Sequence, residues 1–94
     1  MAILTTASIT AIDTTAISKG DLIRAKYMSW ESAINGVVAG VTDTLIRVLY
    51  IGTGGNVTNY FVITAEELED GLWDVLWSAD LNTVYNNNEE GEGE

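Results

Sequence analysis

The chain has 94 residues, 14 acids against 4 bases and a net charge of −10, with neither histidine nor cysteine. Its length fits one domain with a small core, and the missing side chains remove the usual general base near neutral pH, the commonest zinc ligands and any disulfide. Four cations are too few for a phosphate-binding patch, and the net charge disfavours both nucleic acid and anionic membranes as partners.

From Met1 to Ser18 the chain is built from Ala, Ile, Thr and Ser, with Asp13 its only charged side chain. Apolar residues at Ile3, Ala7, Ile9, Ala11 and Ile17 fall on odd positions, an alternation that suits a strand, and the threonines favour one. Residues 1–19 are therefore expected to form an N-terminal arm or extra strand. Ile3 and Ile9 would be its contacts with a sheet edge of this chain or a neighbouring copy. A loosely ordered leader is the plainer alternative. The triplet Thr5-Thr6-Ala7 recurs as Thr14-Thr15-Ala16, too few copies to make a repeat.

Lys19-Gly20-Asp21 signals a turn. After it, Arg24 and Lys26 alternate with Ile23, Ala25 and Tyr27, the cations reading as solvated and the second set as buried. Met28 to Ala33 reads as a loop carrying Trp30 and Glu31. Ile34 to Val41 and Thr44 to Ile51 read as a hairpin joined at Thr42-Asp43. Gly36 and Gly40 share one face of the first strand, which suggests a bend or a close backbone approach. Gly52-Thr53-Gly54-Gly55-Asn56 is a turn, and Val57 to Ile63 the next strand. No lysine follows those glycines, so they do not make a phosphate loop. Asn56-Val57-Thr58 matches a glycosylation sequon, which has no weight without a secretory signal.

Thr64-Ala65-Glu66-Glu67 is a capping-box pattern ahead of a helix of one or two turns, and Gly71 ends it. Leu72 to Ser78 is the last strong strand, with Trp73, Val75 and Trp77 facing one way. Residues 86–94 carry no apolar side chain and four glutamates, and are expected to be a disordered acidic tail.

These elements give a mainly β fold: five strands at 21–27, 34–41, 44–51, 57–63 and 72–78, with one short helical turn, in an antiparallel barrel or curled sheet over residues 20–85. A long first loop, a meander and a helical turn before the final strand resemble the SH3-like barrel over roughly residues 20 to 80. The peptide-binding version of that fold uses an aromatic cluster, for which Tyr27, Trp30 and Tyr60 are the candidates. The chain is also similar in style to small proteins of phages and mobile elements.

Glu66, Glu67, Glu69, Asp70, Asp74 and Asp80 put six carboxylates in a short stretch. Hard cations take oxygen ligands, which makes Glu66, Glu67 and Asp70 weak candidates for a divalent-cation site, but Asp70-Gly71 breaks the register of an EF-hand loop. The plainer reading is a solvated helical turn with acids near its N-terminus. No metal site and no cofactor is expected. Trp73 and Trp77 read as core, and Trp30 as an exposed contact.

The N-terminus does not read as a signal peptide and no apolar stretch approaches about 20 residues, so a membrane partner is not expected. A small secreted domain would more often carry disulfides, so a cytoplasmic location is expected. The function expected is that of a non-enzymatic protein-interaction module, self-associating or part of a larger assembly. The alternatives are a structural subunit of a phage or mobile-element particle and, behind it, a divalent-cation-binding protein using the acidic stretch at 66–80. The partner expected is a protein, a second copy included.

Overall fold

A computed structural model describes residues 3–4, 11–52 and 58–87. Ile9, the Thr5-Thr6-Ala7 triplet, the glycine turn beyond Gly52, the start of the sequon and the tail from Asn88 onward lie outside the described residues.

The β-branched and aromatic segments form β1 (Leu22–Tyr27), β2 (Ile34–Val41), β3 (Leu45–Ile51), β4 (Thr58–Thr64) and β5 (Trp73–Ser78). A short helix, α1 (Ala65–Glu69), precedes β5, and a two-residue strand, β6 (Tyr85–Asn86), follows it. All pairings are antiparallel, in one sheet of order β4-β3-β2-β1-β5-β6. Two expectations need correcting. Among the described residues the sheet has six strands, not five, and it is not closed into a barrel. The edge of β5 that β4 would have to reach is occupied by β6, where Tyr85 pairs with Trp77 and Asn86 with Leu76. Asn87 secures that edge: its side-chain amide donates to the Trp73 carbonyl at 3.0 Å and its Oδ1 accepts from the Val75 N–H at 2.9 Å. The asparagines at 86 and 87, read from sequence as the start of the tail, are bonded to β5. Composition marked them polar but could not show that their amides match a sheet edge.

One face of the sheet is the core. Ile23 and Ala25 of β1, Val38 of β2, Ile46 and Val48 of β3, Ile63 of β4, and Trp73, Val75 and Trp77 of β5 are all buried. Each strand places these residues at alternate positions, as period-2 geometry requires. The exception is β2, where the register shifts between Val38 and Gly40. That irregularity separates the two glycines: Gly36 pairs with core-facing Ile23, whereas Gly40 pairs with solvent-facing Arg47. An extra residue in one strand reverses the facing of everything after it, which lets Val41 pack on the core beside Ile46.

Gly36 marks a close approach. A Cβ there would collide with the Leu49 carbonyl oxygen and come within 2.9 Å of Val48 Cγ1. Because the first obstacle is backbone, Gly36→Ala is expected to cost about 1–3 kcal/mol as overpacking. Urea unfolding of the variant checks it; an unchanged midpoint would mean that β2 can move off β3.

The N-terminal segment covers part of the core face. Ile3, Ile12, Ala16 and Ile17 are buried, three of them in the same cluster as Ile23 and Trp77. The Ile12 N–H donates to the Asp43 carbonyl at 2.8 Å, at the β2–β3 turn, and the Asp13 N–H to the Ile3 carbonyl at 2.8 Å. The indole Nε1 of Trp77 donates to the Ala16 carbonyl at 2.9 Å. Residues 14–17 are a turn, not a strand. Asp13 builds it, its Oδ1 accepting from the N–H and the hydroxyl of Thr15 at 3.0 and 2.6 Å. This is local side-chain competition with extended pairing, a habit of Asp and Thr. Ala16 and Ile17 are consequently buried side by side, which an alternating strand would forbid.

Candidate functional site

Three places in the fold could hold function: the acidic helical turn, an aromatic cluster at one end of the core, and the outer face of the sheet.

The helical turn is held by its own chemistry. Thr64 and Glu67 form a complete capping box: the Thr64 hydroxyl accepts from the Glu67 N–H at 3.1 Å, and Glu67 Oε1 accepts from the Thr64 N–H at 3.3 Å. The same Oε1 accepts from the indole Nε1 of Trp73 at 3.0 Å. Glu67 thus satisfies the polar edge of a buried tryptophan. Glu66 and Asp70 are exposed, with Asp70 closing the helix. Among the described residues, no three acids converge as a metal ion would need.

The Trp73 indole, with help from the Thr64 cap, holds the Glu67 carboxyl below the ordinary glutamate value. A lowered folded-state pKa contributes stability that is present above the unfolded value, near 4.3, and is lost as pH falls through the folded one. The wild-type chain is therefore expected to lose stability between pH 5 and about pH 3 more steeply than Glu67→Gln. Urea midpoints at several pH values measure this, and parallel curves would show that the carboxylate's charge is not what holds the indole.

The aromatic cluster joins Tyr27, Trp30, Tyr50, Phe61 and Trp73. Trp30 meets Trp73 and Phe61 edge-on, with centroids 5.2 and 5.3 Å apart, and Tyr27 meets Trp73 at 4.9 Å. Phe61 stacks on Trp73 at 5.6 Å. These are favourable geometries for ring quadrupoles. They bring Tyr27 and Trp30 together as the sequence suggested, but turn both toward the core. Trp30 is half-buried on its neighbours rather than standing free in the loop. Tyr60 is elsewhere, exposed on the other face of the sheet. Ile3 lies in the core.

The outer face carries an arrangement that the sequence reading did not assemble. Leu22 pairs with Val37, Val37 with Leu49, and Leu49 with Tyr60. These four side chains make one row across β1, β2, β3 and β4, each 43–57% exposed. Ile51 lies beside the row and is more exposed still. A concavity of about 410 Å³ runs over Leu22, Val37, Leu49 and Ile51. Another of about 240 Å³ lies between Leu22, Leu76 and Val84. The two meet at Leu22 and Asn35. Arg24 and Arg47 stand on opposite sides of the row, Arg47 with its guanidinium 4.4 Å above the Tyr60 ring. The available signal was Leu22, an apolar residue in phase with outward-facing Arg24 and Lys26.

The architecture is thus a small all-β domain, an open antiparallel sheet with one short helix, whose apolar residues occupy both faces. The chain belongs to the family described as a domain of unknown function, DUF5026, whose model matches residues 3–84. That match includes the N-terminal segment that packs on the core. No curated protein and no solved structure matches the chain. Among the described residues, no helix is long and apolar enough to cross a membrane.

Proposed function

We propose that this protein is a non-enzymatic interaction module that joins a larger assembly through the outer face of its sheet. The observation that carries the reading is the exposed row Leu22–Val37–Leu49–Tyr60. Single exposed apolar residues are ordinary, but a contiguous patch with a polar rim marks a contact surface. Each of these side chains sits opposite a filled core face, so none is needed inside. The absence of histidine and cysteine supports the non-enzymatic part. The strand order β5-β1-β2-β3-β4 with a helical turn before β5 supports an SH3-like relationship in an open form. On this reading the N-terminal segment stabilises the module and does not serve as the contact.

Photo-crosslinking in the cells that produce the protein tests it. A benzophenone side chain at Val37 should give a protein adduct, and one at Glu69, on the helical turn, should not. Adducts of equal yield from both positions, or none from Val37, would refute the assignment.

A further inference from the structure

The charge on the outer face runs against the charge of the chain. Among the acids of the described residues only Asp74 lies on a strand, while three of the 4 bases, Arg24, Lys26 and Arg47, lie on strands and face outward. Asp74 is the register partner of Lys26. The apolar row is therefore bordered by cations on both sides in a protein of net charge −10. If solubility alone governed the surface, acids would be spread over this face too.

Beyond β5, the chain holds an apolar side chain outward at some conformational cost. Leu81 has φ of 62° and is 75% exposed. A left-handed backbone disfavours every residue with a Cβ, and glycine or asparagine would be the easier choice. The loop is built to impose it: Asp80 Oδ1 accepts from the N–H groups of Asn82 and Thr83 at 2.9 and 2.7 Å, and the Leu81 N–H donates to Ser78 Oγ at 3.0 Å. Strain retained by surrounding structure in this way points to use. The same loop supplies Val84, which lines the smaller concavity.

We infer that the outer face docks an acidic protein segment, an apolar ridge with carboxylates on both flanks. The ridge lies along Leu22, Val37 and Leu49, the carboxylates meet Arg24 and Arg47, and Leu81 closes over the end beyond β5. This rests on the interaction reading given above and adds the partner's chemistry. A second copy docked face to face would set arginines against arginines across a two-fold axis, which disfavours the symmetric dimer. The chain's own residues 88–94 offer glutamates but no apolar side chain, so they cannot fill the row.

Fluorescence anisotropy with the full chain tests the inference. The probes are three short labelled peptides that share a core of leucine and valine alternating with threonine and end in glutamates, glutamines or lysines. At low salt the glutamate peptide should bind about tenfold tighter than the glutamine peptide, the lysine peptide weakest, and the preference should shrink as salt screens it. Arg24→Gln and Arg47→Gln should each weaken the glutamate peptide about threefold and leave the glutamine peptide unchanged. Leu81→Gly should weaken all three while keeping or raising the melting temperature. Equal binding of the three peptides, abolished by Val37→Thr with Leu49→Thr, would overturn the acidic partner and keep the docking face. No binding by any peptide would overturn both. Glutamate binding that appears only after removal of residues 88–94 would identify the tail as the occupant and overturn the inference.

Discussion

Replacing Trp77 with alanine is expected to destabilise the protein by about 3–5 kcal/mol, the range for a large buried aromatic. The indole is 1% exposed and is packed among Ile17, Ile23 and Val75. It also donates the hydrogen bond to the Ala16 carbonyl, so truncation leaves that buried acceptor without its partner, which adds to the cavity cost. A domain of this size commonly has only about 5–15 kcal/mol in total. The variant should therefore unfold at much lower urea, with a partly unfolded population at 37 °C. Trp77→Phe, which keeps most of the volume and loses the donor, should fall between the two. Equilibrium urea unfolding checks both variants. A small loss in Trp77→Ala would mean that the tryptophan serves a surface rather than the core.

Removal of the first 17 residues is expected to have the largest effect of all. It takes Ile3, Ile12, Ala16 and Ile17 out of the core and uncovers Trp77. Each large aliphatic side chain contributes about 1.5–3 kcal/mol on burial. Their joint loss is on the order of 5 kcal/mol, comparable to the whole stability of a small domain. The shortened chain should show little cooperative unfolding by circular dichroism and should expose its core to a hydrophobic dye. Ile12→Ala and Ile17→Ala, each costing about 2–5 kcal/mol, give the same answer in chains that still fold. A shortened chain that folded normally would return the segment to the role of a detachable arm.

What the sequence could and could not reveal follows from how local each signal is. The five long strands were readable because β-branched runs and alternation are local, and the capping box because it is four consecutive residues. The β-bulge was only half readable: two glycines announced a distortion, but not the register shift that sends them to opposite faces. In the N-terminal segment an apolar alternation and a side-chain-built turn share the same residues, and Asp13 sets a turn at 14–17 that the alternation did not announce. β6 straddles the bound that composition set for the tail, since two residues carry no period. Of the candidate contacts, Tyr27 and Trp30 do meet, but as packing for Trp73, while Ile9 lies outside the described residues. The outer row was invisible because its members come from four strands, and only the register brings them into line.

If the row Leu22–Val37–Leu49–Tyr60 is a contact surface and not a fold determinant, its loss should abolish contact and leave the fold intact. The most direct measurement is the crosslink yield from a benzophenone side chain at Tyr60 in cells, compared between the wild-type chain and Val37→Thr with Leu49→Thr. Threonine keeps the strand propensity, so the double variant should melt within a few degrees of wild type. This folded variant is expected to lose the adduct. An undiminished adduct, or a double variant destabilised by as much as Ile17→Ala, would contradict that reading.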